Sequence, residues 1–180
     1  MNLLSIFQQR HSIRKYTGAP IDDAALTQII QAGLLSASSR SIRPWEFIVV
    51  KDKDMLRHLS ECRTGAAWML AGTDAAIVVI ANAEVSDVWI EDSSIAMANM
   101  HLMADSLGIG SCWIQGRLRT ATSTDSGTAS ITTEDYVRES LHFPEGYKLE
   151  AILSLGMPAE EKTPAELSKL PFEKIHYEKF

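Results

Sequence analysis

Residues Val88 to Leu107 set the tightest limit on what this chain can fold into. At 1.5 Å per residue the stretch makes a helix about 30 Å long, and Gly108 is placed to end it. In its second half Ile95, Ala96, Met97, Ala98, Met100, Leu102, Met103 and Ala104 occupy nearly every face. A helix that is apolar all round must be covered all round, either by its own chain or by a partner subunit. A bilayer is not the cover, because Trp89 to Leu107 also carries Glu91, Asp92, Asn99, His101 and Asp105, too many polar groups for a membrane span.

The other segments supply material for a mixed α and β structure. Ala75 to Ala81 reads Ala-Ala-Ile-Val-Val-Ile-Ala, a continuous apolar run of strand length that predicts a central strand covered on both faces. Glu46 to Val50, Ser111 to Ile114 and Leu149 to Leu155 predict further strands. Leu3, Leu4, Ile6 and Phe7 predict a short first helix, followed by a polar, extended segment from Arg10 to Tyr16. Asp22 is placed to cap a second helix whose Leu26, Ile29, Ile30, Gly33 and Leu34 recur at one-stripe spacing. Met55 to Cys62 also reads as helical, and Thr132 with Asp135 forms an imperfect capping box for a helix through Leu141. Thr120 to Thr133 has no periodicity and reads as a mobile surface loop. Ala159 to Phe180 is charged and carries Pro164 and Pro171, which predicts an extended arm anchored by Leu170, Phe172, Ile175, Tyr177 and Phe180. Residues 1–180 are the length of one domain.

Charge narrows the partners. The net charge is -6, against a general binder of nucleic acid or of an anionic membrane surface. Residues 1 to 50 are nonetheless basic, with Arg10, Arg14, Lys15, Arg40 and Arg43 facing only Asp22, Asp23 and Glu46, so a small anionic ligand finds its best partners there. Cys62 and Cys112 form neither a disulfide framework nor a zinc motif, which fits a reducing compartment and a cytoplasmic protein. The five histidines show no metal-ligand spacing.

Three segments carry chemistry. In Arg10-His11-Ser12-Ile13-Arg14-Lys15-Tyr16 the alternate residues Arg10, Ser12 and Arg14 share one face of an extended strand, a donor set suited to a dianionic phosphate. Read alone, the same residues also describe a solvated basic turn. Ser38-Ser39-Arg40-Ser41-Ile42-Arg43-Pro44-Trp45 combines hydroxyls, two arginines and a rigid proline, with Trp45 itself read as core. In Leu107-Gly108-Ile109-Gly110-Ser111-Cys112-Trp113-Ile114 two glycines let the backbone approach closely. This last run follows a helix and lacks a third glycine, so it is not a dinucleotide fingerprint. Cys112 has no base motif beside it and reads as structural.

In this order the segments resemble the small members of the nitroreductase family. The resemblance rests on Arg-x-Ser-x-Arg-x-Tyr, the Ser-rich loop ending in Pro-Trp-Glu-Phe, the helix leading into Leu-Gly-Ile-Gly-Ser-Cys-Trp-Ile, and the Leu-Gly-Met-Pro terminator. It implies an α+β sandwich with a mainly antiparallel central sheet, a homodimer exchanging C-terminal arms, and FMN in the interface. By the same resemblance Arg10, His11 and Ser12 contact the phosphate and ribityl region, and Arg14 lies near the pyrimidine edge of the flavin. Ser38, Ser39, Arg40 and Arg43 would come from the other subunit, and the backbone of Gly110, Ser111, Cys112, Trp113 and Ile114 would approach the ring. The family's usual Pro and Asn in the Ser-rich loop are here Ala37 and Ser41, and a frequent Gln is Arg43. Either Lys162 or Lys174 would add a basic group to the phosphate.

The activity so implied is a ping-pong cycle. NADH or NADPH passes hydride to flavin N5 and leaves, and an electron-poor small molecule such as a nitroaromatic or quinone takes the electrons in the same pocket. The cofactor carries the chemistry, so no catalytic acid, nucleophile or metal is expected from the chain. Two alternatives share the flavin: a different acceptor such as free flavin, an enone or a halogenated phenol, and a flavin-binding sensor or storage protein without turnover.

Overall fold

The chain's computed structural model describes residues 2–121 and 131–180. Among these residues five α-helices flank a sheet of four strands, in the chain order α1 (Leu3–Gln9), α2 (Asp23–Leu34), β1 (Trp45–Val50), α3 (Lys53–Leu59), β2 (Ala75–Asn82), α4 (Trp89–Ser106), β3 (Gly110–Gln115), α5 (Thr133–Leu141) and β4 (Tyr147–Gly156). The strands lie in the order β1-β2-β4-β3, and every neighbouring pair is antiparallel. The predicted α+β class with an antiparallel sheet is therefore what forms.

The sheet separates two apolar layers. Successive strand residues point to opposite faces, so Ala76, Val78 and Ile80 of β2 join Leu56, Leu59, Val137 and Ile152 on the α3 and α5 side. Ala75, Ile77 and Val79 join Leu26, Ile29, Met97, Met100 and Leu153 on the α2 and α4 side. Both faces of β2 are thus covered, as the continuous apolar run requires. Residue 33 is glycine because α2 and α4 cross there: a Cβ would stand 2.9 Å from the Met100 sulfur and 3.0 Å from the Phe47 ring.

Local signals account for most helix starts. Asp22 accepts the Ala24 N–H at 3.3 Å, and Asp52 accepts that of Met55 at 2.7 Å, so α3 begins two residues before its apolar pattern does. Thr132 caps α5 through the Asp135 N–H, but the Asp135 carboxylate takes the Thr132 hydroxyl proton at 2.6 Å instead of reaching back to the cap's own N–H. Asp is one methylene shorter than the Glu of a full capping box. Thr120 and Thr132 pair as an isolated bridge; residues 122–130 of the predicted loop lie outside the described residues.

α4 is only partly covered by its own chain. Ala96, Met97, Met100 and Ala104 are buried, whereas Ile95 is 43% exposed and Ala98 is open to solvent. Leu3, Leu4 and Phe7 of α1 are likewise bare, as are Leu34 and Leu35 at the end of α2. The second-helix stripe therefore reaches the core through Leu26, Ile29 and Gly33 but not through Leu34. Beyond β4 the chain runs as an arm with short 3-10 turns at Leu167–Lys169 and Phe172–Lys174. Its expected anchors, from Leu170 to Phe180, are all exposed, so within one chain they anchor nothing.

Candidate functional site

The site begins where the Arg10 to Tyr16 segment crosses the outer edge of β3. The Ile13 N–H donates to the Ser111 carbonyl at 2.9 Å, and Ser12 bridges Ser111 in parallel register. Gly110 permits this approach, since a Cβ there would meet Ile13 Cγ2 at 2.8 Å. The Tyr16 hydroxyl closes the segment from below, contacting the Ile13 carbonyl at 2.6 Å and Ser154 Oγ at 2.8 Å. Burial pushes the Tyr16 phenol well above its usual 10.0, so it stays a proton donor.

A second clamp comes from far along the chain. The Glu160 carboxylate accepts the Arg14 N–H at 2.7 Å and the Lys15 N–H at 3.3 Å, and Lys162 pairs with the same carboxylate at 2.8 Å. The Arg14 N–H first, then the Lys162 ammonium, pull the Glu160 pKa down to about 2. Of the two lysines named from the sequence, Lys162 is thereby placed beside the Arg14 end of the segment.

Held in this way, Arg14 is exposed and lines a cavity of about 210 Å³ with Arg63, Ala66, Trp68, Cys112 and Trp113. Burial lifts the Cys112 thiol above its usual value despite the nearby Arg14 charge, so Cys112 is a protonated thiol and no ready nucleophile. Ile114 is 1% exposed and packs in the core, so the single chain does not present it to the cavity. Trp113 donates its indole N–H to Gln115 Oε1 at 2.9 Å. His11 Nδ1 donates to the Gln9 carbonyl at 2.6 Å.

The arginine at position 10 has a partner that sequence patterning did not single out. Its Nη1 lies 2.8 Å from His101 Nε2, and His101 Nδ1 meets the Ser111 hydroxyl. The available signal was a lone histidine within the apolar half of α4. Glu160 carried no local signal, because its partner lies 146 residues away.

The Ser-rich loop stands apart. Ser39 donates its N–H to the buried Asp92 carboxylate at 2.8 Å, the Ser38 hydroxyl accepts the Arg43 N–H at 2.9 Å, and Arg40 pairs with Asp87. Arg40, Ser41 and Arg43 have φ of 53°, 56° and 53°, a left-handed backbone that costs non-glycine residues roughly 1–2 kcal/mol each. Those hydrogen bonds hold the turn in place. Among the described residues none of them reaches Arg10, Ser12 or Arg14, so a single chain gathers the first and third predicted segments and leaves the second elsewhere. Among the same residues no cluster of His, Cys, Asp or Glu is suited to a metal, and no helix is long and apolar enough to cross a membrane.

Comparison with known proteins shows the family and the fold. The nitroreductase family model matches residues 7–67 and 59–157. An FMN-dependent nitroreductase from Clostridium difficile R20291 superposes with a TM-score of 0.91 at 43% identity, covering 98% of this chain and 99% of that one. A protein of Archaeoglobus fulgidus, whose assigned name couples NADH dehydrogenase with NAD(P)H nitroreductase, is 35% identical over 98% of both chains. A protein of the same assigned name from Methanothermobacter thermautotrophicus is 30% identical over 100% of this chain and 88% of its own. The class these matches define is that of the oxidoreductases, and the chain belongs to the nitroreductase family.

Proposed function

We propose that the protein is an FMN-dependent NAD(P)H oxidoreductase that works in the cytoplasm as a homodimer, with one FMN at each subunit boundary. The observation that carries this reading is the pairing of the segment bearing Arg10, Ser12 and Arg14 with Ser111 of β3, beside a small cavity that Arg14 lines with Arg63, Cys112 and Trp113. The donor set fits the cofactor. Two guanidiniums and a hydroxyl suit a phosphate and an electron-rich ring edge, and Gly110 to Ile114 offers main chain along one side.

When bound, FMN supplies the two-electron chemistry that no side chain of this protein carries. Arg10, His11 and Ser12 would hold its phosphate end. Arg14, steadied by Glu160, would set positive charge at the pyrimidine edge, where it favours the reduced, anionic form. A cavity of about 210 Å³ falls below the roughly 300–1,000 Å³ of small-molecule sites, so further walls are needed. The loop bearing Ser38, Ser39, Arg40 and Arg43 would supply them from a second copy, docked through the bare faces of α1, α2 and α4 and the unanchored arm.

The test is anaerobic reduction of the FMN-reconstituted protein by NADH and by NADPH, followed by addition of nitroaromatic, quinone, enone and free-flavin acceptors. Rapid loss of the flavin's visible band and its return with a nitroaromatic or quinone support the reading. A yellow protein that neither coenzyme bleaches would mark a flavin-binding sensor, and a colourless one would remove the flavin altogether.

A further inference from the structure

We infer that His101 sets the Arg10 guanidinium for the phosphate of the cofactor, so that the site selects FMN over riboflavin; this rests on the FMN reading above. His101 lies on the buried side of α4, is only 6% exposed and joins two residues of the site. A guanidinium has no acceptor, so the 2.8 Å contact with Arg10 Nη1 requires His101 Nε2 to be the unprotonated nitrogen. The proton is then on Nδ1, from which the ring donates to Ser111 Oγ. Partner chemistry alone thus fixes one neutral tautomer.

That neutrality has a use. Asp105 sits one turn further along α4, near enough for the charges of Arg10 and His11 to act on its half-buried carboxyl, yet among the described residues Arg10 makes no ion pair. A carboxylate would orient the guanidinium and also cancel its charge. The imidazole orients it and leaves the charge whole. Burial first, then the Arg10 charge, hold the His101 pKa down to about 4, so the arrangement persists throughout the neutral range. One N–H of Arg10 is committed to His101, and the other four of its five remain for an anion. Ser111, held by the ring, is also the residue that receives the Ile13 N–H and bridges Ser12. One side chain therefore registers Arg10, Ser12 and β3 against one another. Riboflavin shares the ring and ribityl chain of FMN but lacks the phosphate, so it gains nothing from an oriented Arg10.

The experiment compares FMN and riboflavin binding to the apoprotein by flavin fluorescence, in the wild type, His101→Leu and His101→Gln. The wild type is expected to prefer FMN. In His101→Leu that preference should shrink roughly tenfold, the size of one lost charge-assisted hydrogen bond, with riboflavin binding within about twofold of wild type. In His101→Gln, whose side-chain oxygen can still accept from Arg10, most of the preference should return. If His101→Leu does not fold, Ser111→Ala takes its place: it frees the other side of the ring and should cut the preference severalfold. Equal losses for the two flavins, or an unchanged preference, overturn the role of His101 while leaving the FMN reading intact. A wild type that binds neither flavin overturns both.

Discussion

Replacing Tyr16 by Phe removes one buried hydroxyl and tests how the site segment is held. Burial keeps the phenol protonated, and its single proton goes to the Ile13 carbonyl at 2.6 Å. Ser154 then donates to the phenol oxygen across 2.8 Å. Each such bond contributes about 1 kcal/mol net. In the variant Ser154 can fall back on the Cys112 carbonyl at 3.3 Å, but the Ile13 carbonyl loses its partner. The expected loss is therefore about 1–2 kcal/mol, or roughly 2–8 °C in Tm for a chain of this size. Thermal and urea unfolding should be run at one protein concentration and without added flavin, because a ligand or subunit that binds only the folded state shifts the midpoint. In a double-mutant cycle with Ser154→Ala, the two changes should couple by at least about 0.5 kcal/mol. Amide exchange at Ile13, whose N–H donates to Ser111, should quicken. A Tyr16→Phe protein with wild-type Tm, additive cycle and unchanged Ile13 exchange would refute this account.

Three further outcomes follow from the same geometry. Glu160→Gln should weaken the clamp on Arg14 and Lys15. Because the folded carboxyl titrates at about 2 against an ordinary 4.5, its contribution is complete above about pH 4.5 and fades toward pH 2, so urea midpoints of wild type and variant should differ at pH 7 and converge across that window; a constant gap would refute the assignment. Gly156→Ala would set a Cβ 2.6 Å from the Tyr16 ring, and overpacking of this kind costs about 1–3 kcal/mol, to be read as a lowered urea midpoint together with weaker FMN retention; an unchanged midpoint counts against the contact. Leu35→Asp changes a residue that is 85% exposed in the single chain, where a free surface position shifts stability by no more than about 0.5 kcal/mol; if the proposed homodimer docks through this face, light scattering should show a shift from dimer to monomer, and an unaltered dimer would place the interface elsewhere.

The sequence exposed the parts of this fold that depend on near neighbours. The apolar run of β2, the one-sided pattern of α2 and the caps at Asp22 and Thr132 act within a few residues, and hydrophobic periodicity makes most of them readable. Arg10, Ser12 and Arg14 were visible for the same reason, since alternation places them on one face. Strand order was not visible, because antiparallel pairing between Val78 and Ile152 depends on the whole layer. Neither was the Glu160 clamp, where the contact spans 146 residues. The left-handed turn at Arg40, Ser41 and Arg43 ran against local preference, which favours Gly, Asn or Asp there. It persists through long-range bonds such as that from Ser39 to Asp92. His101 is not legible from histidine spacing, because its role depends on what stands opposite it, Arg10 and Ser111.

The seam between residues 12–13 and Ser111 also shields the sheet's border. β3 pairs with β4 on one side, and its other margin would otherwise offer unpaired amides and carbonyls to any strand that drifted past. Letting go of the basic segment would therefore uncover a sticky rim as well as disarm the pocket. Such chains should be prone to clumping, so that poor solubility and loss of the proposed FMN site arrive together.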